Sequence, residues 1–322
     1  MIKGTYIFYE NGLEIYRSEN LITKFGKRFI TNYLAGNVSF NEKDMAVGIA
    51  TDLEYGISSS NSRLGFEFYR LPVSYSGIDI RQNTGVFDEN GNPGFLYSVV
   101  YKATLPQDVA GRINEISLYP GKRTSTNNYD NKFITDFEDS TVWFDSSSYN
   151  PPTVSSLNTR IGSYLLKWST SGASTTKEYK SSINTLDISG YSVYDSITLA
   201  FNQEDANLSS IKVRFYSSDT AYFESTIATT NVPGNKIQSV TLNSMLSSGV
   251  NNPDATAISK IGIIATSGSG GAATVYLDGL RINDEDTFDP TYGMISRSTL
   301  TTELIKSAGR QVDIEYRLDL SL

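Results

Sequence analysis

The chain has no cysteine and no histidine in its 322 residues. The first absence excludes disulfides, thiolate nucleophiles and Cys-ligated zinc or iron–sulfur centres. The second removes the side chain that titrates nearest neutral pH, and with it Ser-His-Asp triads, Cys-His pairs and His-ligated metals. Positive charge is in short supply: 27 Lys and Arg face 35 Asp and Glu, a formal net charge of -8. With no basic cluster to offset it, nucleic acid is not an expected partner. No apolar run approaches the roughly 20 residues of a membrane-spanning helix, and the opening Met1-Ile-Lys-Gly-Thr-Tyr6 has no signal-peptide core. No membrane insertion is expected, and synthesis in a cytoplasm without an export signal is. Carboxylate, lysine and tyrosine chemistry is what remains.

In place of these the chain carries 21 Tyr and 15 Phe, set among Ser, Thr and Asn in the manner of pleated strands and polar turns. Gly4–Glu10 and Leu13–Arg17 flank Asn11-Gly12, a hairpin signal of the type I′ kind. Between Asn20 and Gly36, the positions Ile22, Phe25, Phe29, Ile30, Tyr33 and Leu34 recur every three or four residues, which predicts an amphipathic helix capped by Thr23 or Asn20 and stopped at Gly36. Strand patterns return at Met45–Ala50, Gly65–Tyr75, Phe95–Leu105 and Ile113–Tyr119.

A polar linker from Pro120 to Asn131 then separates the first domain from a new run of short strands. Phe133–Asp139 and Val275–Ile282 read as its first and last strands, with Tyr164–Trp168, Ser196–Phe201, Ile211–Tyr216, Tyr222–Thr226, Ile237–Leu242 and Ile258–Ala265 between them, the spacing of a jelly-roll sandwich. A second linker, Asp284–Pro290, leads to Ile295–Ile305 and Gln311–Leu320, which alternate with period two but are too few to hold a core alone. They are expected to rejoin the first sheet. The expected fold is mainly β: a first domain with one N-terminal helix, over 1–128 and 287–322, interrupted by an inserted jelly-roll β-sandwich over 129–286. A module whose termini pair as neighbouring strands fits into a host loop at little cost.

Three catalytic or ligand-binding motifs are weak. Asp88–Gly94 has Pro93 where a calcium loop of the EF-hand type needs glycine, so a hairpin turn around Asn90-Gly91 is expected. Ser267-Gly-Ser-Gly-Gly-Ala272 lacks the Gly-Lys-Ser/Thr of a phosphate cradle. Glycosidase chemistry needs two carboxyls about 5 to 10 Å apart, and neither Glu67 with Asp79 nor Glu204 with Asp205 stands out as such a pair. No enzymatic activity is expected.

The outer segments resemble phage tail-fibre, collar and appendage proteins. The resemblance is carried by Asn20-Leu-Ile-Thr-Lys-Phe-Gly26, Ala46–Ala50, Leu64 with Glu67 and Arg70-Leu-Pro-Val73, Ala110–Tyr119 and Gln311–Leu318. It spans about half the chain and departs from the family at Gly48-Ile-Ala-Thr51, where Gly-Thr-Gly is usual. It implies a structural protein of a tailed-phage virion, localised to the tail, neck or fibre, that is homo-oligomeric and docks on other virion structural proteins. A capsid-surface decoration protein with the sandwich as a spacer, or a secreted bacterial carbohydrate-binding protein, is the alternative.

The inserted segment resembles jelly rolls of the carbohydrate-binding-module type, from Asp136-Phe-Glu-Asp139 and Trp143 to Tyr276–Ile282. In such modules an acid near the first strand and an Asp on the last often hold structural calcium, which here maps to Asp136, Glu138 and Asp278. Oxygen ligands at adjacent strand ends suit a hard cation; the other reading is that these carboxylates are solvated or bonded to turn backbone. The resemblance further implies a host surface polysaccharide as partner. Sugar binding needs aromatic faces beside polar groups, and the candidates are Trp143, Trp168, Tyr149, Tyr164, Tyr179, Tyr191, Tyr194 and Tyr222. Most aromatics in a sandwich are core. Tyr149 and Tyr179, in polar surroundings, are the ones expected to be exposed, and Trp143 is kept with them.

Overall fold

The structure is a computed structural model that describes residues 2–37, 44–50, 63–87, 91, 93–120, 132–145, 152–191, 195–229, 232–283 and 293–321. Asp88–Asn90 and Tyr149 lie outside the described residues. The chain divides into two compact units, Met1–Thr124 with Thr287–Leu322, and Ser125–Asp286.

The first unit opens with β1 (Ile2–Glu10) and β2 (Leu13–Ile22), joined through Asn11 and Gly12 at φ of 51° and 78°. Both angles are those a type I′ turn requires, which is why the Asn-Gly pair sits there. Helix α1 (Lys24–Leu34) follows, with Gly36 at φ of 74° just past its end. Asn20–Ile22 belong to β2 and not to the helix, because Asn20 pairs with Gly4 and Ile22 with Ser296. Then come β3 (Asp44–Ile49), β4 (Phe66–Pro72), β5 (Ser74–Phe87), β6 (Pro93–Leu105) and β7 (Gly111–Tyr119). The continuous strand expected over Gly65–Tyr75 breaks at Val73 into β4 and β5.

The second unit contains β8 (Lys132–Thr135), β9 (Trp143–Asp145), β10 (Thr153–Ser155), β11 (Leu165–Ser169), β12 (Thr176–Leu186), β13 (Ser196–Gln203), β14 (Leu208–Tyr216), β15 (Tyr222–Ile227), β16 (Gly234–Thr241), the short α2 (Leu242–Leu246), β17 (Ile258–Ser267) and β18 (Thr274–Asn283). One sheet runs β10-β11-β18-β13-β16 with β8 also paired to β18, and the other runs β15-β14-β17-β12-β9. Their inner faces share a core that includes Trp143, Trp168, Tyr179, Leu199, Val213, Phe215, Ile263 and Leu277. Period-two alternation produces this: in β14, Ile211, Val213 and Phe215 enter the core while Lys212 and Arg214 face out. The entry and exit strands are antiparallel neighbours, with Phe133 opposite Arg281 and Thr135 opposite Leu280.

The chain then returns as β19 (Ser296–Lys306) and β20 (Val312–Ser321). Both occupy interior positions of the first unit's nine-stranded sheet, ordered β4-β3-β7-β19-β2-β1-β20-β6-β5. The link between β19 and β2 is only two residue pairs long, and residues from both sides of it share one core with Phe29 of α1 and Ile295.

Helix α1 is anchored to the returning segment. Thr23 caps the helix by accepting from the Gly26 amide at 2.9 Å, its own amide donates to the Ile295 carbonyl at 3.0 Å, and its hydroxyl donates to the Met294 carbonyl. Gly26 lies so close to the Ile295 carbonyl that an added Cβ would collide with that oxygen. In an open helix, Gly to Ala gains about 1 kcal/mol; here overpacking, typically about 1–3 kcal/mol, dominates. Gly26→Ala is therefore expected to lower stability by about 1–2 kcal/mol in urea unfolding, and a stabilised variant would contradict the docking of α1 on Ile295.

Candidate functional site

The outer face of the five-stranded sheet in the second unit is polar and ordered in rows by strand register. One row reads Phe144, Lys180, Gly262, Arg214 and Glu224 across β9, β12, β17, β14 and β15. On one side of it lie Ser182, Lys260, Tyr216 and Tyr222, and on the other Glu178, Ile264, Lys212 and Thr226.

Arg214 is the hub. Its Nε donates to Glu224 Oε2 at 2.7 Å, and its Nη1 donates to Glu178 at 3.3 Å and to the Tyr216 hydroxyl at 3.2 Å. Its guanidinium lies 4.2 Å from the centre of the Tyr222 ring. Tyr216 donates its hydroxyl to Glu178, and Lys180 stands 4.4 Å from the Tyr216 ring centre. Lys212 donates to Glu224 Oε1 at 2.6 Å. Burial would pull the Arg214 guanidinium down, but the bonds to Tyr216 and Glu224 and the charge of Glu178 hold it above its ordinary value. Burial and the bond to Glu178 push the Tyr216 phenol up.

Gly262, at the centre of this face, is buried. A Cβ there would come within 2.7 Å of Glu178 Oε1 and 2.9 Å of the Tyr216 ring. Glu178 and Tyr216 thus close over the space that the missing side chain leaves. Phe144 is 48 % exposed at the β9 edge, while Tyr222 is half-buried at the β15 edge. The carboxylates and ammonium groups keep spare donor and acceptor capacity beyond the bonds they make to one another, while Tyr216, 1 % exposed, supports them from below. Such a surface can exchange hydrogen bonds with a flat, hydroxyl-rich ligand while the aromatic rings take its C–H faces.

Of the aromatic residues expected to read sugars, Tyr149 is outside the described residues and the other two lie away from this face. Trp143 and Tyr179 are both core residues, 3 % and 2 % exposed. Trp143 stacks on Phe137 at 5.1 Å, and Tyr179 meets Trp168 edge-on at 4.8 Å. The cause is that Lys177–Ser181, polar enough to pass for a loop, is strand β12, and alternation turns Tyr179 inward. Of the other aromatics, Trp168 and Tyr191 are buried, Tyr164 is exposed, and Tyr194 is outside the described residues. Tyr222 is the one that joins the site. Arg214, Glu178, Glu224 and Lys180 were missed, although the outward half of the alternation in Ile211–Tyr216 pointed to Arg214.

The acidic residues fall into three environments. Asp278 is buried, and both its oxygens accept backbone amides at 3.2 Å, Oδ2 from Arg160 and Oδ1 from Ile161. Glu138 Oε1 accepts the amides of Ser163 and, at 3.0 Å, Tyr164 in the same loop. Burial pushes the Asp278 carboxyl up to about 8, and the charge of Glu138 adds to the rise. Burial also raises Glu138 itself. Asp136 is exposed and accepts the Glu138 amide at 3.2 Å. No group of three or more acidic residues close enough to hold a metal occurs among the described residues. Glu67 pairs with Arg70 and Asp79 with Arg317, both at 2.6 Å; Glu204 accepts from Tyr276, and Asp205 accepts backbone amides of Asn207 and Thr274.

Two clefts are lined by described residues outside this polar layer. One of about 640 Å³ at the edge of the sandwich is lined by Phe133, Ile134 and Ser182–Leu186. Another of about 410 Å³, in the first unit, is lined by Tyr9, Lys102, Thr104, Asp313 and Glu315 among others.

No family model and no curated protein matches the chain. Among solved structures it is similar to the family 11 carbohydrate-binding module from Clostridium thermocellum, in complex with a β-1,3-1,4-mixed-linked tetrasaccharide, at 14 % identity and a TM-score of 0.37, over 49 % of this chain and 97 % of that one. A carbohydrate-binding module specific for non-crystalline cellulose, CBM28, matches at 15 % identity and a TM-score of 0.31, over 46 % and 90 %. An exo-β-agarase matches at 15 % and 0.36, over 49 % of this chain and 26 % of the agarase.

Burial would raise Glu224, but the bonds from Lys212 and Arg214 hold it below its ordinary value. A depressed carboxyl contributes stability above its unfolded pKa and loses it as pH falls through the folded one. The melting-temperature gap between wild type and Glu224→Gln should therefore close as pH drops from neutral to below about 4. A gap independent of pH would show that the Arg214 network does not depend on this charge.

Proposed function

We propose that the protein binds glycans on the outer face of the five-stranded sheet, and that the interrupted unit is the docking and assembly part of a tailed-phage virion protein. The glycan reading rests on one observation, the Arg214-centred layer of Glu178, Glu224, Lys180 and Tyr216 packed over Gly262, with aromatic rings at its two edges. An oligosaccharide lying across this layer would place its hydroxyls against the charged groups and the faces of its end sugars against Phe144 or Tyr222. Each contact is weak, and several copies on one particle would multiply the strength of attachment. The virion reading is supported by the resemblance of the outer segments to phage appendage proteins, and the glycan reading does not depend on it.

Affinity electrophoresis of the intact protein through gels containing neutral polysaccharides tests the site. The wild type should be retarded by at least one of them, and Tyr222→Ala and Arg214→Ala should each weaken retardation about tenfold or more, the loss of a contact worth about 1.4 kcal/mol. Retardation unchanged in both variants would place binding elsewhere.

We further propose that Glu138 and Asp278 hold a structural calcium ion. Glu138, after β8, and Asp278, on β18, both accept amides of the 160–164 loop and are both raised by burial, and such carboxyls form an oxygen donor set that a hard cation would relieve. The ion would tie the module's first and last strands together. Calcium at about a hundred times its dissociation constant should raise the melting temperature of the second unit by about 5 °C or more, and Asp278→Asn should abolish the effect. An identical melting curve in EDTA and in calcium would refute it.

A further inference from the structure

Over β20, β6 and β5 the first unit's sheet has one apolar face, and that face continues beyond the unit's own core. Along β1, β20, β6 and β5, Tyr6, Tyr316, Tyr101 and Tyr75 stand in register. Neighbouring rings are 4.7, 6.4 and 6.0 Å apart. The first three are buried, whereas Tyr75 is 60 % exposed. Beyond Tyr75 the same face carries Ile78, Ile80, Phe95 and Tyr97, exposed by between 37 and 63 %.

A bulge sets this pattern. The register shifts between Tyr75 and Gly77, so Tyr75 and Ile78, three apart in sequence, both lie on the face of Tyr101 and Val99. Gly77 has a φ of 131°, a value that suits glycine. Without the bulge, the two isoleucines would sit on the opposite face among charges. That opposite face is already complete: Arg317 pairs with Asp79 at 2.6 Å, Arg81 with Asp79 at 3.2 Å and Lys102 with Glu315 at 3.7 Å.

We propose that this uncovered face of the β5–β6 hairpin is a contact with a second copy of the same chain, packed sheet on sheet. Two observations select that occupant. The first is area. At about 200 Å² per large side chain, the five residues offer on the order of 500 Å² of apolar surface, near the upper end for a monomer and more than half of the roughly 800 Å² per partner in a standard interface. The second is charge. Copies with a net charge of -8 repel one another, and none of the five residues carries a charge. Self-contact here avoids like-charge opposition, as an isologous interface requires. The inference is independent of glycan binding, which involves the other unit.

Sedimentation velocity on the intact protein, across a concentration series, tests it. Wild type should sediment as a reversible oligomer. Ile80→Lys and Phe95→Lys should each shift the dissociation constant at least a hundredfold toward the 35.5 kDa monomer, with unchanged far-UV circular dichroism and unchanged polysaccharide retardation measured at monomer concentrations. Because the chain has no cysteine, Ile80→Cys supplies a second reading that leaves the face apolar: a short bismaleimide should give a covalent dimer, while Leu13→Cys, exposed elsewhere in the same unit, should not. A wild type that stays monomeric at about 100 µM, a typical concentration for such weak contacts, would overturn the proposal. So would an oligomer indifferent to both lysine variants, or monomeric protein that binds phosphatidylcholine vesicles through Ile80.

Discussion

The antiparallel pairing of β8 with β18 is the constraint on which the rest of the architecture depends. Strands β19 and β20 are not edge additions. β20 lies between β1 and β6, and β19 between β7 and β2, so the first unit has no continuous sheet until the chain has returned. Roughly 175 residues separate the end of β7 from the start of β19. Closing a flexible loop of that length costs about 2 kcal/mol more than closing one the size of the two linkers alone. A folded insert with adjacent ends removes that difference. The helix adds a second point of dependence, because its cap at Thr23 and its close approach at Gly26 both use the returning residues Met294 and Ile295.

The outer face of the insert's five-stranded sheet takes no part in the hydrophobic core. The inner faces hold the core, and the ion pairs around Arg214 give a preorganised polar layer at modest energetic value, since partly exposed pairs are each worth well under a few kcal/mol. Their role is better described as fixing geometry. Gly262 contributes by what it lacks, and the surrounding side chains converge on the space it leaves. In β5 and β6 the same alternation gives a charged, internally paired face and an apolar one, and the Gly77 bulge decides which residues of β5 fall on which.

Much of the fold was legible where local chemistry and tertiary structure agree. Asn11-Gly12 specified its turn, Thr23 its cap, and Ile211–Phe215 its alternation. The site was harder to read. β12 looks like a loop because its outward residues are Glu178 and Lys180 and its inward ones include Ser181, so the hydrophobic signal rests on Tyr179 and Ile183 and, past a shift in register, Leu186. That misreading hid half of the polar face and made Tyr179 look exposed. Trp143 gave no local sign of its burial, since β9 is three residues long and its inward direction is set by pairing with Ser181. Gly262 sits in a strongly apolar strand, where a single glycine shows neither its neighbours nor its position opposite Arg214.

Native-state hydrogen exchange of the intact protein, followed through a denaturant series, tests the nested arrangement most directly. Cooperative units lose protection together. The account predicts that amides of β20 and β19 open with those of β1, β6 and β7, while β8 opens with β18 and the rest of the sandwich, although β18 and β19 are neighbours in sequence. Joint opening of β19 and β20 with the sandwich, separately from β1, would contradict it.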